Sequence, residues 1–254
     1  MKWPSSITLI RHDISAYNIL KDKRVNDPLY KDFLASRKDK KNYEETKLLA
    51  LLVMQKFALG IGDADTPLAN EGVQAYKTGL VLSSGKVPDV VFVSPYKRAM
   101  FTLGKLIGGW PALAKAKTYE EERIREQEHG LALLYNDWKV FHALHPDQEA
   151  LYELEGPYWY RYPQGENVPD VRDRNRSWLS TLTRDFAEKD VFVVTHHLNI
   201  LAMRANLERL SAQDFIFLDK REKPINCGVT VYRGHPDQGK DGKLVLESYN
   251  VKHY

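Results

Sequence analysis

Cysteine occurs once in 254 residues, at position 227, so no internal disulfide can form and burial must hold the fold together. No run approaches the roughly 20 apolar residues of a membrane span. The opening MKWPSSITLI meets charge at Arg11 before it reaches the apolar length of a signal peptide. A soluble, cytoplasmic protein is the expectation, and the triplet NRS at 175–177 is then a chance match to a glycosylation acceptor. No glycine-rich loop of the nucleotide-cradling kind is present. Neither sign of charge dominates: 37 basic and 34 acidic residues leave +3, and the basic ones are scattered rather than gathered into arms. That argues against nucleic acid as a partner and only weakly for an anionic ligand. Repeats and low-complexity segments are missing too. With 43% hydrophobic residues and no compositional break, residues 1–254 read as a single domain.

What is present is a repeated order. ITLI at 7–10, DVVFVS at 89–94 and DVFVVT at 190–195 are unbroken β-rich apolar runs, the pattern of strands buried on both faces. Each is followed by polar residues and then a helical pattern. The order predicts an α/β domain, a three-layer α/β/α sandwich with a central, mainly parallel sheet. The segment 19–65 is lysine-rich at first, then helical in period from Glu44 to Leu59, and predicts a helical excursion. DTPLANEGVQAYKTGLVLSSG predicts a helix with Leu68, Gly72 and Ala75 on related faces. Residues 127–169, rich in Tyr, Trp, His and Pro, predict ordered loops and short helices covering a site. CGVTVYRG and KLVLESYNV flank DQGKDG and predict a C-terminal hairpin.

Ligands of such sheets gather beyond the carboxyl ends of the strands, so Arg11-His12, Arg98 and His196-His197 are placed to converge. So many basic groups are costly to hold together without an anion between them, and phosphate suits guanidinium forks. A helix opening near Ser15 and Asn18 would add free N–H groups. FHALH puts His142 and His145 three apart with Asp147 behind. Without a second cluster this makes no metal site.

In ordered succession, LIRHDISAYN, TPLANEGVQA, VSPYKRAMFT, IREQEHG, RYPQGENVPDVRDR and VVTHHLNI resemble the histidine phosphatase superfamily, the phosphoglycerate mutase-like family. The resemblance implies that His12 is a nucleophile forming a phosphohistidine, with Arg11, Arg98 and His196 balancing phosphate charge and Asn18 contacting the phosphate. IREQEHG selects Glu126 as proton donor from a run that also holds Glu120, Glu121, Glu122 and Glu128. Such a donor needs surroundings that favour its acid form. His196, directly after VVT, takes the catalytic place, and His197 replaces a usual glycine of the family, with either ring able to occupy the pocket mouth. The implied activity is a metal-independent phosphomonoesterase with no cofactor, acting on a small phosphorylated substrate. The oligomeric state is left open. A cofactor-dependent phosphoglycerate mutase uses the same groups, but the tryptophan of its usual glycine-tryptophan stretch is missing from GIGDADTPLANEG. A silent phosphate-binding module is the third reading, and the implied proton donor argues against it.

The chain departs from the family pattern at Asp13 and His197, both usually glycine, and at Asn167, often serine. Asp tolerates left-handed geometry better than most residues, so Asp13 is expected to keep the turn, with its carboxylate in solvent or capping the helix of Ser15 and Asn18. A carboxylate facing the pocket would instead repel phosphate and raise the pKa of His12.

Overall fold

The elements run β1 (Ser6–Arg11), α1 (Ala16–Asn26), α2 (Pro28–Asp39), α3 (Tyr43–Lys56), α4 (Val73–Leu82), β2 (Val90–Val93), α5 (Lys97–Gly109), β3 (Lys117–Glu120), α6 (Trp138–Leu144), α7 (Pro146–Trp159), α8 (Val168–Asp185), β4 (Asp190–Thr195), α9 (His197–Leu207), α10 (Ala212–Arg221), β5 (Val229–His235) and β6 (Lys243–Val251). This computed structural model describes residues 2–39 and 42–254.

One six-stranded sheet has the order β3-β2-β4-β1-β5-β6. β1, β4, β2 and β3 pair in parallel, while β5 runs antiparallel to both β1 and β6, which forms the predicted hairpin. Alternation along β2 explains the layers. Val90 and Phe92 face Trp178, Leu179 and Leu182 of α8 with Ile200 and Met203 of α9. Val91 and Val93 face Ala75 of α4 with Ala99, Leu103 and Leu106 of α5. Both faces are thus covered by helices, as the unbroken apolar runs require. Cutting Phe92 to alanine in such a core costs about 3–5 kcal/mol.

The excursion after β1 is α1, α2 and α3, which form their own apolar cluster. Tyr30, Phe33, Ala50 and Val53 pack there against Val140 and Ala143 of α6. The helix predicted across 65–85 starts only at Val73. Asn70, Glu71 and Gly72 all have positive φ, and Leu68 instead bridges to Ser15. The three left-handed residues break the helical path, which places Leu68 and Ala75 on different elements. Residues 127–169 do hold short helices, with α7 kinked at Gly156, where φ is 79°. Among the described residues no helix is long and apolar enough to cross a membrane.

Candidate active site

The four parallel strands deliver side chains to one end of the sheet. His12 extends β1, its N–H donating to the Thr195 carbonyl at 2.9 Å. Ser94 follows β2, Glu126 follows β3, and His196 follows β4 as the N-cap residue of α9.

His12 Nδ1 lies 2.7 Å from the carbonyl oxygen of Asp13. A carbonyl only accepts, so Nδ1 carries the proton and Nε2 keeps its lone pair. Burial, then the charges of Arg98 and Arg11, hold the imidazole well below its ordinary pKa. His196 is held down in the same order of causes, by burial and then by Arg98, His12 and Arg11. The two rings stand 5.2 Å apart. His196 Nε2 is 2.7 Å from Ser94 Oγ, while its Nδ1 is buried without a partner, and the Tyr96 ring meets it edge-on at 5.1 Å.

Arg11 donates from Nη1 to the Pro224 carbonyl at 2.8 Å, and its Nε is buried without a partner. Arg98, also buried, donates from Nη1 to the Asp63 carbonyl at 2.5 Å and to Asp63 Oδ1 at 2.9 Å, and from Nη2 to Oδ2 at 3.2 Å. Asn18 builds a capping box with Ser15, its Oδ1 accepting from the Ser15 backbone N–H and hydroxyl, each at 3.0 Å. His197 sets Nε2 2.8 Å from Asp219 Oδ1 on α10, near enough for its charge to act on His12.

Glu126 Oε1 accepts the backbone N–H of Gln127 at 3.1 Å and of Leu198, in the first turn of α9, at 3.2 Å. The segment after β3 that carries it is locked by Arg174, whose guanidinium donates to the carbonyls of Arg123, Arg125 and Glu126 while pairing with Glu166. Gly165 is required there, because a Cβ on it would meet the Glu128 carbonyl at 2.5 Å. Asn167, the other departure in that motif, caps α8 and accepts from the Asp170 N–H at 3.0 Å.

Asp13 answers to neither of its expected placements. Its φ is not positive, and its side chain is buried, with Oδ1 accepting the Ile14 N–H at 2.6 Å and Oδ2 the Ala75 N–H at 2.8 Å. It caps α4, not α1, and its carboxylate is spent on backbone donors. A helix N-terminus supplies both the hydrogen bond and the positive end of a dipole that such a buried anion needs.

Sequence reasoning missed Asp63, Ser94, Pro224 and Arg174. Arg174 closes the RYPQGENVPDVRDR motif but acts on backbone carbonyls, and Pro224 offers only its own carbonyl, so residue type announced neither role. The FHALH histidines are separate from this site. His142 lies among aromatic rings, and His145 Nε2 is 2.7 Å from Tyr135 OH. Among the described residues no group of three His, Cys, Asp or Glu side chains could hold a metal ion.

A family model of the histidine phosphatase superfamily (branch 1) matches residues 57–244, beginning after Arg11 and His12. Phosphoglycerate mutase-like protein AT74H of Arabidopsis thaliana is 32% identical over 117 residues, which cover 42% of this chain and 39% of that protein. The match therefore spans about two fifths of that relative's length. Among solved structures, a mycobacterial glucosyl-3-phosphoglycerate phosphatase with inorganic phosphate aligns at TM-score 0.64, 18% identity and 98% coverage of both chains. YhfR of Bacillus stearothermophilus aligns at TM-score 0.65, 17% identity and 98% coverage of both chains. At these identities the likeness establishes the fold.

Proposed function

The chain belongs to the histidine phosphatase superfamily, branch 1, and on that premise we propose that it is a metal-independent phosphomonoesterase working through a phosphohistidine on His12. The observation that carries this reading is the bond of 2.7 Å from His12 Nδ1 to the Asp13 carbonyl, which leaves Nε2 unprotonated and fixed in direction. Nε2 attacks phosphorus and the P–O ester bond breaks. The leaving oxygen takes a proton from Glu126, and the Glu126 carboxylate then draws a proton from the water that attacks the phosphohistidine. Glu126 Oε1 already accepts two backbone N–H groups, so Oε2 is the atom that carries the proton. Arg11, Arg98 and Asn18 stabilise the phosphoryl oxygens, His196 donates from its unpartnered Nδ1, and His197 walls the pocket mouth.

The substrate is a small phosphate monoester, in keeping with the phosphatase name of the mycobacterial neighbour. The mutase reading draws on the name of the Arabidopsis relative. A panel of phosphorylated metabolites separates the two. Release of inorganic phosphate without a bisphosphorylated primer is expected, and primer-dependent interconversion of phosphoglycerates with little phosphate released would reverse the choice.

A further inference from the structure

Tyr96 is buried where β2 gives way to α5, and as the N-cap residue of α5 it accepts the Ala99 N–H on its carbonyl at 2.8 Å. Its ring is therefore tied to the helix that carries Arg98. The Arg98 guanidinium lies over the ring face, 4.9 Å from its centre, and the Tyr96 and His196 rings meet edge-on at 5.1 Å. The hydroxyl makes a third contact, donating to Glu128 Oε1 at 2.7 Å. Burial, then the bond to Glu128 and its charge, push the pKa of the phenol up, so Tyr96 stays the donor in this pair.

Glu128 lies two residues beyond Glu126. Its backbone is held from the other side, with its N–H donating to Glu166 Oε2 at 3.0 Å and its carbonyl accepting the Glu166 N–H at 2.7 Å. Arg125 Nε stands 3.4 Å from the carboxylate oxygen that accepts the phenol. One side chain thus touches Arg98 and His196 with its ring and the segment of Glu126 with its hydroxyl.

We propose that Tyr96 is a positioning residue that holds the segment of the proton donor in register with Arg98 and His196, with Glu128 as its anchor. The groups that act on the leaving oxygen and those that stabilise the phosphoryl oxygens are then aligned through one phenol. Glu128 has a use of its own in the IREQEHG run, distinct from proton donation. This rests on the phosphomonoesterase reading for the roles of Glu126, Arg98 and His196.

The test is a double-mutant cycle with Tyr96→Phe, Glu128→Ala and both together, read as affinity by calorimetry with vanadate and with inorganic phosphate. Vanadate bound to a histidine is a trigonal bipyramid with an apical oxygen in the place of the leaving oxygen, so it reports this register and phosphate reports it far less. Tyr96→Phe keeps the ring and Glu128 is partly exposed, so neither change empties the core. Each single variant should bind vanadate about tenfold more weakly and phosphate within about twofold of the wild type, and the double variant should be no weaker than either. Glu128→Gln, whose amide carbonyl still accepts the phenol, should recover most of the vanadate affinity that Glu128→Ala loses. Losses that add in the double variant, equal losses for the two anions, wild-type vanadate affinity throughout, or no recovery in Glu128→Gln would overturn the positioning role. These affinities need no turnover, so a failure to trap a phosphohistidine would sink the hydrolytic reading and leave a coupled loss of vanadate affinity standing.

Discussion

Asp63 grips Arg98 through both carboxylate oxygens, at 2.9 and 3.2 Å, and with its own carbonyl takes three of the five guanidinium N–H groups. A phosphate bound to Arg98 would compete with this carboxylate for the same charge. Asp63→Asn should therefore bind inorganic phosphate or vanadate more tightly, with inhibition constants falling about tenfold, the scale of one charge-assisted bond. Weaker inhibition in that variant would show that Asp63 serves to aim Arg98 instead.

Asp13 has a structural duty that its neighbour His12 conceals. Asp13→Asn keeps one acceptor but turns an amide toward a backbone N–H, which should cost about 1–3 kcal/mol of stability in urea unfolding. The kcat/KM should stay within roughly threefold, less than about 0.7 kcal/mol. A tenfold gain in kcat/KM would show that the carboxylate acts on the phosphate pocket.

The strands were legible because ITLI, DVVFVS and DVFVVT are buried on both faces, and burial of that kind writes itself as an unbroken apolar run. β3, Lys117–Glu120, is largely exposed and pairs on only one side, so KTYE carries no such mark. The start of α4 was misplaced because Asn70 and Gly72, which tolerate left-handed geometry, also fit a helical reading, and nothing in the type of Glu71 between them marks its positive φ. Within the site, Arg11, His12, Arg98, Glu126 and His196 could be named because each follows a strand or a short motif. Asp63 could not, since its contact with Arg98 spans 35 residues and joins a loop to a helix. The role of Asp13 was hidden for the same reason: Ala75, which it caps, is 62 residues away.

His142 is enclosed by Trp138, Phe141, Tyr152, Tyr160 and Tyr162, with both ring nitrogens unpartnered. Burial first, then Arg37, pushes its pKa down to about 4. The folded value lies below the unfolded one, so the unfolded chain binds the extra proton and stability falls as pH drops from 6.5 through about 4. At pH 5 the loss from this one residue is about 2 kcal/mol relative to pH 7. His142→Leu should show a smaller drop in urea midpoint between those two pH values than the wild type. An unchanged drop would mean that His142 is not a source of the acid sensitivity.

Glu126→Gln should slow the phosphorylation step on the order of 10²–10⁴-fold for alkyl phosphates, whose leaving oxygen needs a proton, and less for aryl phosphates. Single-turnover rates on the two classes check this. An equal fall in both, or the same pattern from Glu128→Gln, would remove Glu126 from the role.

The most direct measurement is a rapid quench into alkaline denaturant during a single turnover, followed by mapping of the phosphorylated peptide by mass spectrometry. A base-stable, acid-labile phosphoryl group on His12, formed and consumed at rates that match turnover, is the expected result. Turnover with no phosphoryl group on the protein, or with that group on another residue, would contradict a His12 phosphoenzyme.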